Sequence, residues 1–187
     1  GYLGDCYFLA ALGTNVIQQP NTIRNMFIDN GDGTFTVKFY GQNNGKVVSD
    51  ADYVTVDRWL PSNVSDGQYS GQSFAAFDSD DRGLWVALAE KAYAQFAESS
   101  LSFRPVPINS YEGINYGKGF RAMAAISGKD GSLHTNLLYG TAQVGGFPNF
   151  DTVDGLFSSK TPVVASTIST PGLGIVSDHQ YIITNTN

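Results

Sequence analysis

The chain has 187 residues, 42% of them hydrophobic, and a formal net charge of −6. That is enough apolar material to bury a sizeable core as one compact domain or two small lobes, while the acidic balance and the scatter of eleven basic residues exclude a nucleic-acid footprint. No run of about eighteen apolar residues offers a membrane span, and a single cysteine cannot close an internal disulfide, so a soluble protein of either the cytoplasm or the exterior fits equally well.

Helical spacing begins at residue 5 and runs to about residue 18, where Pro20 stops it. Gly4 permits a tight turn at its entrance, Asp5 is suited to cap the first amides, and Phe8, Leu9, Ala11 and Leu12 supply a face to bury. Cys6 therefore falls in the first turn, where the helix dipole and unpaired amides draw a thiol of ordinary pKa about 8.5 toward the reactive thiolate. The competing reading is a small buried hydrophobe, a common fate of a free thiol. A nucleophile also needs a base, and the histidines are His134 and His179; a cysteine and histidine site tolerates such long separations in sequence.

A short helix is predicted over residues 21–27, then a turn at Asn30-Gly31-Asp32-Gly33 and a half-buried strand over residues 34–40, with another over 53–56. The turn lacks the spacing and terminal glutamate of a helix-loop-helix calcium motif and reads as a plain turn. Asp78-Ser79-Asp80-Asp81 reads as a solvated loop. The strongest helix covers residues 84–97, with Trp85, Leu88, Ala92 and Phe96 on one face as a central core element. Past Pro105 and Pro107 the sequence is glycine-rich up to Gly131, and beyond it residues 132–139, 162–168 and 180–184 have strand composition. Helices first and strands later predict an α+β fold of two unlike lobes, residues 1–127 and 128–187, with a cleft between them.

Three segments carry a more specific signal. Leu3-Gly4-Asp5-Cys6-Tyr7-Phe8-Leu9-Ala10-Ala11 is similar to the nucleophile motif LGDCWLLAA, with Tyr7 in place of Trp and Phe8 in place of Leu. Val56-Asp57-Arg58-Trp59-Leu60-Pro61 is similar to VDDxLP, and Leu84-Trp85-Val86-Ala87-Leu88-Ala89-Glu90-Lys91-Ala92-Tyr93-Ala94 to LWPALLEKAYAK. Gly174-Ile175-Val176-Ser177-Asp178-His179-Gln180-Tyr181-Ile182-Ile183 is similar to the histidine motif GLVxGHAYSV. In order and spacing, and over essentially the whole chain, these segments resemble the calpain family of papain-like cysteine proteases.

The resemblance implies a papain-like fold, a helical N-terminal lobe with the nucleophile Cys6 and an antiparallel, strand-rich C-terminal lobe with the general base and acid His179. It implies an endopeptidase that cleaves protein or peptide substrates through a thioester, with the Cys6 backbone amide as one oxyanion donor. His134 matches no motif and reads as structural or exposed. Two expected groups are missing from the sequence: the family's oxyanion Gln falls one residue before Gly1, and no NPWG motif supplies the Asn that orients the histidine. Asn185 and Asn187 are rejected as substitutes, because an extended strand at about 3.3 Å per residue carries them roughly 20 to 26 Å from His179. The sequence thus reads as part of a longer chain. The alternative function is an inactive calpain-like module that binds protein. Calcium is the cofactor the resemblance brings in, although the thiol chemistry requires none, and Glu112 in Ser110-Tyr111-Glu112-Gly113-Ile114 is the candidate ligand.

Overall fold

The computed structural model describes residues 3–60, 62–65, 68–73, 84–99, 102, 108–133, 137–139, 142–144, 150–167 and 174–186. Helix α1 (Cys6–Gln18) leads through Gln19 into α2 (Pro20–Arg24), whose proline sits where a helix tolerates its missing N–H. Strands β1 (Phe27–Asp29), β2 (Thr34–Asn43) and β3 (Lys46–Asp57) form an antiparallel sheet in the order β1-β2-β3. The helix predicted over 21–27 is therefore shorter than its composition suggests, since Phe27 opposite Val37 already belongs to the sheet. The expected turn at residues 30–33 joins β1 to β2: Gly31 and Gly33 have φ of 76° and 88°, and Asp32 Oδ1 accepts from the Thr34 amide at 2.9 Å.

A hairpin of β4 (Ser62–Ser65) and β5 (Gln68–Ser73) precedes α3 (Leu84–Phe96), as predicted the central helix. A single 3-10 turn (Tyr111–Ile114) and helix α4 (Gly119–Ser127) follow. Then come the hairpin β6 (Leu137–Tyr139) with β7 (Ala142–Val144), helix α5 (Phe150–Ser158), and the pair β8 (Val164–Ser166) with β9 (Gln180–Ile182). Every described strand pair is antiparallel, and the mixture of helices with antiparallel strands bears out the α+β class. Among the described residues no helix is long and apolar enough to cross a membrane.

The core lies where α1, α3 and α4 meet the β2–β3 face. Phe8 on α1 stacks on Tyr93 of α3 with ring centroids 4.1 Å apart and planes within 6°. Phe39 of β2 fills the space beside them, 5.4 Å from Tyr93 and 5.1 Å from Phe96. Each such ring buries roughly 150–250 Å², so this aromatic cluster fixes α1 against α3 and the sheet. Alternation in β2 explains the sheet's share: Val37 and Phe39 face inward and are fully buried, while Thr36 turns out to share a 2.8 Å hydroxyl contact with Thr55 across the hairpin.

Candidate active site

Cys6 is the first residue of α1 and its thiol is half-buried, so it is neither sealed in the core nor fully in water. The helix entrance differs from the expected cap. Asp5 makes no side-chain cap; its carbonyl instead accepts from the amides of Phe8 (2.7 Å) and Leu9 (3.1 Å), and its carboxyl is buried. The Cys6 amide donates to nothing among the described residues, which leaves an N–H beside the sulfur at the positive end of the helix.

Three hydrogen bonds hold this entrance to the end of the 3-10 turn and the two residues after it. Gly4 donates its amide to Asn115 Oδ1 at 2.8 Å, Tyr116 returns an amide to the Gly4 carbonyl at 2.9 Å, and the Tyr7 hydroxyl donates to the Ile114 carbonyl at 2.9 Å. Gly117 then passes so close to Tyr7 that a Cβ there would lie 2.2 Å from the phenol ring. Nothing in the sequence marked Asn115 for this clamp; asparagine in a glycine-rich stretch reads only as turn chemistry.

His179 immediately precedes β9 and is half-buried. Its backbone is fixed by Thr167: the Thr167 amide donates to the His179 carbonyl at 2.9 Å, and the His179 amide donates to Thr167 Oγ1 at 3.1 Å. Its ring meets Tyr181 edge to face, centroids 5.0 Å apart, and the Tyr181 hydroxyl in turn accepts from the Val176 amide at 2.9 Å. The preceding Asp178 has a φ of 51°, which reverses the chain just before the imidazole. Asn185 is exposed, and His134 and Asn187 lie outside the described residues, as does the acidic run at 78–81.

The segments that carry Cys6 and His179 share neighbours. Strand β9 packs on α1, with Ile182 seated where a Cβ on Gly13 would be, and the residue before β8 is tied to the same helix, the Thr14 hydroxyl donating to the Val163 carbonyl at 3.0 Å. The strap at residues 117–119 runs from the ring of Tyr7 to the side chain of Gln180, each the next residue after one of the two groups. Among the described residues no hydrogen bond joins the Cys6 sulfur to the imidazole; in unliganded sites such contacts are commonly longer than in the working complex.

The family model for calpain family cysteine proteases matches residues 1–187. The chain belongs to the calpain family. A search among curated proteins finds no match. Membership supports a calpain-like peptidase at the level of the family, and a protease family implies protein substrates.

In this calpain-family domain Glu112 stands exposed on the 3-10 turn, where the Gly113 amide donates to the Ser110 side chain. Calcium takes six to eight oxygen ligands, and among the described residues no three His, Cys, Asp or Glu side chains gather to hold a metal. Glu112 alone does not make up such a set.

Proposed function

We propose that this domain is a calpain-like cysteine endopeptidase with Cys6 as nucleophile and His179 as general base and acid, built as a papain-like pair of lobes, residues 1–127 and 128–187, that face one another across a cleft. The observation that supports it most is the shared strap, residues 117–119, which contacts Tyr7 beside the thiol and Gln180 beside the imidazole. A three-residue extended segment spans at most about 10 Å, so the two motif segments border a common surface.

The chemistry follows from the groups. The Cys6 thiolate adds to the carbonyl carbon of the substrate peptide, and the oxyanion that forms accepts from the free Cys6 amide. Protonated His179 gives its proton to the leaving amine as the C–N bond breaks, which leaves a thioester on Cys6. Water, deprotonated by the now neutral imidazole, attacks the thioester; the acid product departs and the proton returns to the sulfur and imidazole pair. Thioester formation and hydrolysis need no metal. Calcium, if it serves this protein, acts outside these steps.

The test is cleavage of an unfolded protein substrate by the full-length protein, alongside covalent capture by a peptidyl epoxide. The reading expects both, and expects Cys6→Ala to abolish both without changing the melting temperature. Capture at Cys6 without any cleavage identifies instead a binding module that has kept a reactive thiol.

A further inference from the structure

A second pair of groups joins the entrance of α1 to α3. Asp5 is 2% exposed and Glu90 fully buried, one at the start of α1 and the other in the middle of α3. The Asp5 carboxyl lies within hydrogen-bond reach of Glu90, and its Oδ2 is buried with no hydrogen-bond partner among the described residues. Three residues further along each helix comes the stacked pair Phe8 and Tyr93, so α1 and α3 meet in register, with a carboxyl rung and an aromatic rung one helical turn apart. The third group at this place is the Tyr111 hydroxyl from the 3-10 turn, buried and without a hydrogen-bond partner among the described residues.

Two carboxylates within hydrogen-bond reach in a dry site cannot both be ionised at acceptable cost, and such pairs keep one proton between them. Burial is the dominant influence on Asp5 and pushes its carboxyl above the ordinary value of 3.8, more strongly than the hydrogen bond to Glu90 pulls it down. Tyr111 is held above its ordinary value as well, first by burial and then by the negative charge of Glu90 and Asp5, which places all three groups in one buried cluster.

We infer that Asp5 and Glu90 hold one proton between them and that this buried acid pair is a positioning element for the Cys6 thiol. Asp5 is adjacent to Cys6 in the chain, and adjacent helical residues point about 100° apart. A carboxyl anchored inward on α3 therefore turns the next side chain toward the half-open side. The pair ties the entrance of α1 to the middle of α3, and the Asp5 carboxyl makes no cap. Both positions are positioning residues, not catalytic ones.

The pH consequence has a definite sign. A carboxyl whose folded pKa is raised favours folding below its ordinary value and loses that contribution as pH rises through the raised value. The inference rests on the nucleophile reading only for its second half, and the experiment separates the two. In the full-length protein, the infrared spectrum at neutral pH is expected to show a protonated-carboxyl stretch that disappears in Asp5→Asn and in Glu90→Gln. Both amides keep the single charge and remove the second ionisation of the pair, so the fall of stability with rising pH should be smaller in both variants, the part due to burial alone remaining. Asp5→Ala is expected to slow Cys6 alkylation by iodoacetamide about tenfold to a hundredfold, as misplacement of a reacting atom does, and Asp5→Asn to restore most of that rate. A spectrum without the protonated carboxyl overturns the shared proton. Alkylation of Asp5→Ala at the parent rate overturns the positioning role. A parent protein whose thiol is not activated, but whose carboxyl stretch responds as stated, defeats the protease reading and leaves the proton-sharing pair standing.

Discussion

Phe8 lies flat on Tyr93, with centroids 4.1 Å apart and planes 6° from parallel, two residues after the candidate nucleophile. Both rings are almost completely buried. The position of the thiol thus depends on a packing contact between α1 and α3. Phe8→Ala is expected to cost about 3–5 kcal/mol, the usual range for removing a core phenylalanine. Denaturant unfolding checks it; a loss below about 1 kcal/mol would mean that α1 is not seated on this rung.

Two glycines give a sharper comparison. A Cβ on Gly117 would lie 2.2 to 2.6 Å from three atoms of the rigid Tyr7 ring, whereas a Cβ on Gly13 would meet the flexible end of Ile182. Gly117→Ala is expected to destabilise by about 1–3 kcal/mol, as overpacking does, and to slow alkylation of Cys6. Gly13→Ala gains up to about 1 kcal/mol of helix propensity against a side chain able to move aside, and should be close to neutral. Melting temperatures of the two variants decide the order.

Lys91 ties the middle of α3 to the end of β3. Its ammonium donates to Asp57 Oδ1 at 2.6 Å, to the Trp59 carbonyl at 2.6 Å and to the Asp57 carbonyl at 3.2 Å. The Lys91 hydrogen bond, followed by the Trp59 amide, holds the Asp57 carboxyl below its ordinary value. The sign is opposite to that of the buried pair: this contribution is present above the ordinary carboxylate pKa and fades as pH falls through the lowered value. Lys91→Met is expected to return the Asp57 titration, followed by NMR, toward the ordinary carboxylate range. An unchanged titration would show that the exposed pair does not persist in solution.

His179→Ala is expected to lower peptide turnover by about 10²–10⁴-fold, the span usual for loss of a general base and acid. Stability should change little, because Thr167 holds this segment through backbone groups of His179. Turnover and melting temperature, measured together, check both statements.

How far the sequence could be read depended on whether an element announced itself by period or by long-range contact. Helix α3 was legible because apolar residues recur along it at helical spacing, and α1 because Pro20 ends it. Helices α4 and α5 were missed. Alpha4 is rich in alanine inside a glycine-bearing stretch, and its end is set by Gly128 in the left-handed region (φ 67°). Alpha5 is short and has no buried residue among those described, so no apolar stripe betrays it. The strand predicted over 132–139 is described only over Leu137–Tyr139, and those over 162–168 and 180–184 shrink to Val164–Ser166 and Gln180–Ile182, because pairing and not composition sets strand length.

The site divides in the same way. Cys6 and His179 could be named from motifs, but the clamp of Asn115 and Tyr116 on Gly4 joins positions more than a hundred residues apart and leaves no local signal. Asp5 was expected at the cap and is instead turned inward to Glu90. A charged residue within the apolar run Val86-Ala87-Leu88-Ala89-Glu90 was the available hint, since a carboxylate is almost never buried unless paired.

The central claim is that the Cys6 thiol is activated by the imidazole of His179. It is tested most directly by the pH dependence of Cys6 alkylation with iodoacetamide in the full-length protein and in His179→Ala. Reaction faster than that of a free thiol well below the ordinary cysteine pKa of about 8.5, lost when His179 is removed, is the predicted result. Alkylation no faster than a free thiol, or unaffected by the loss of His179, would contradict it.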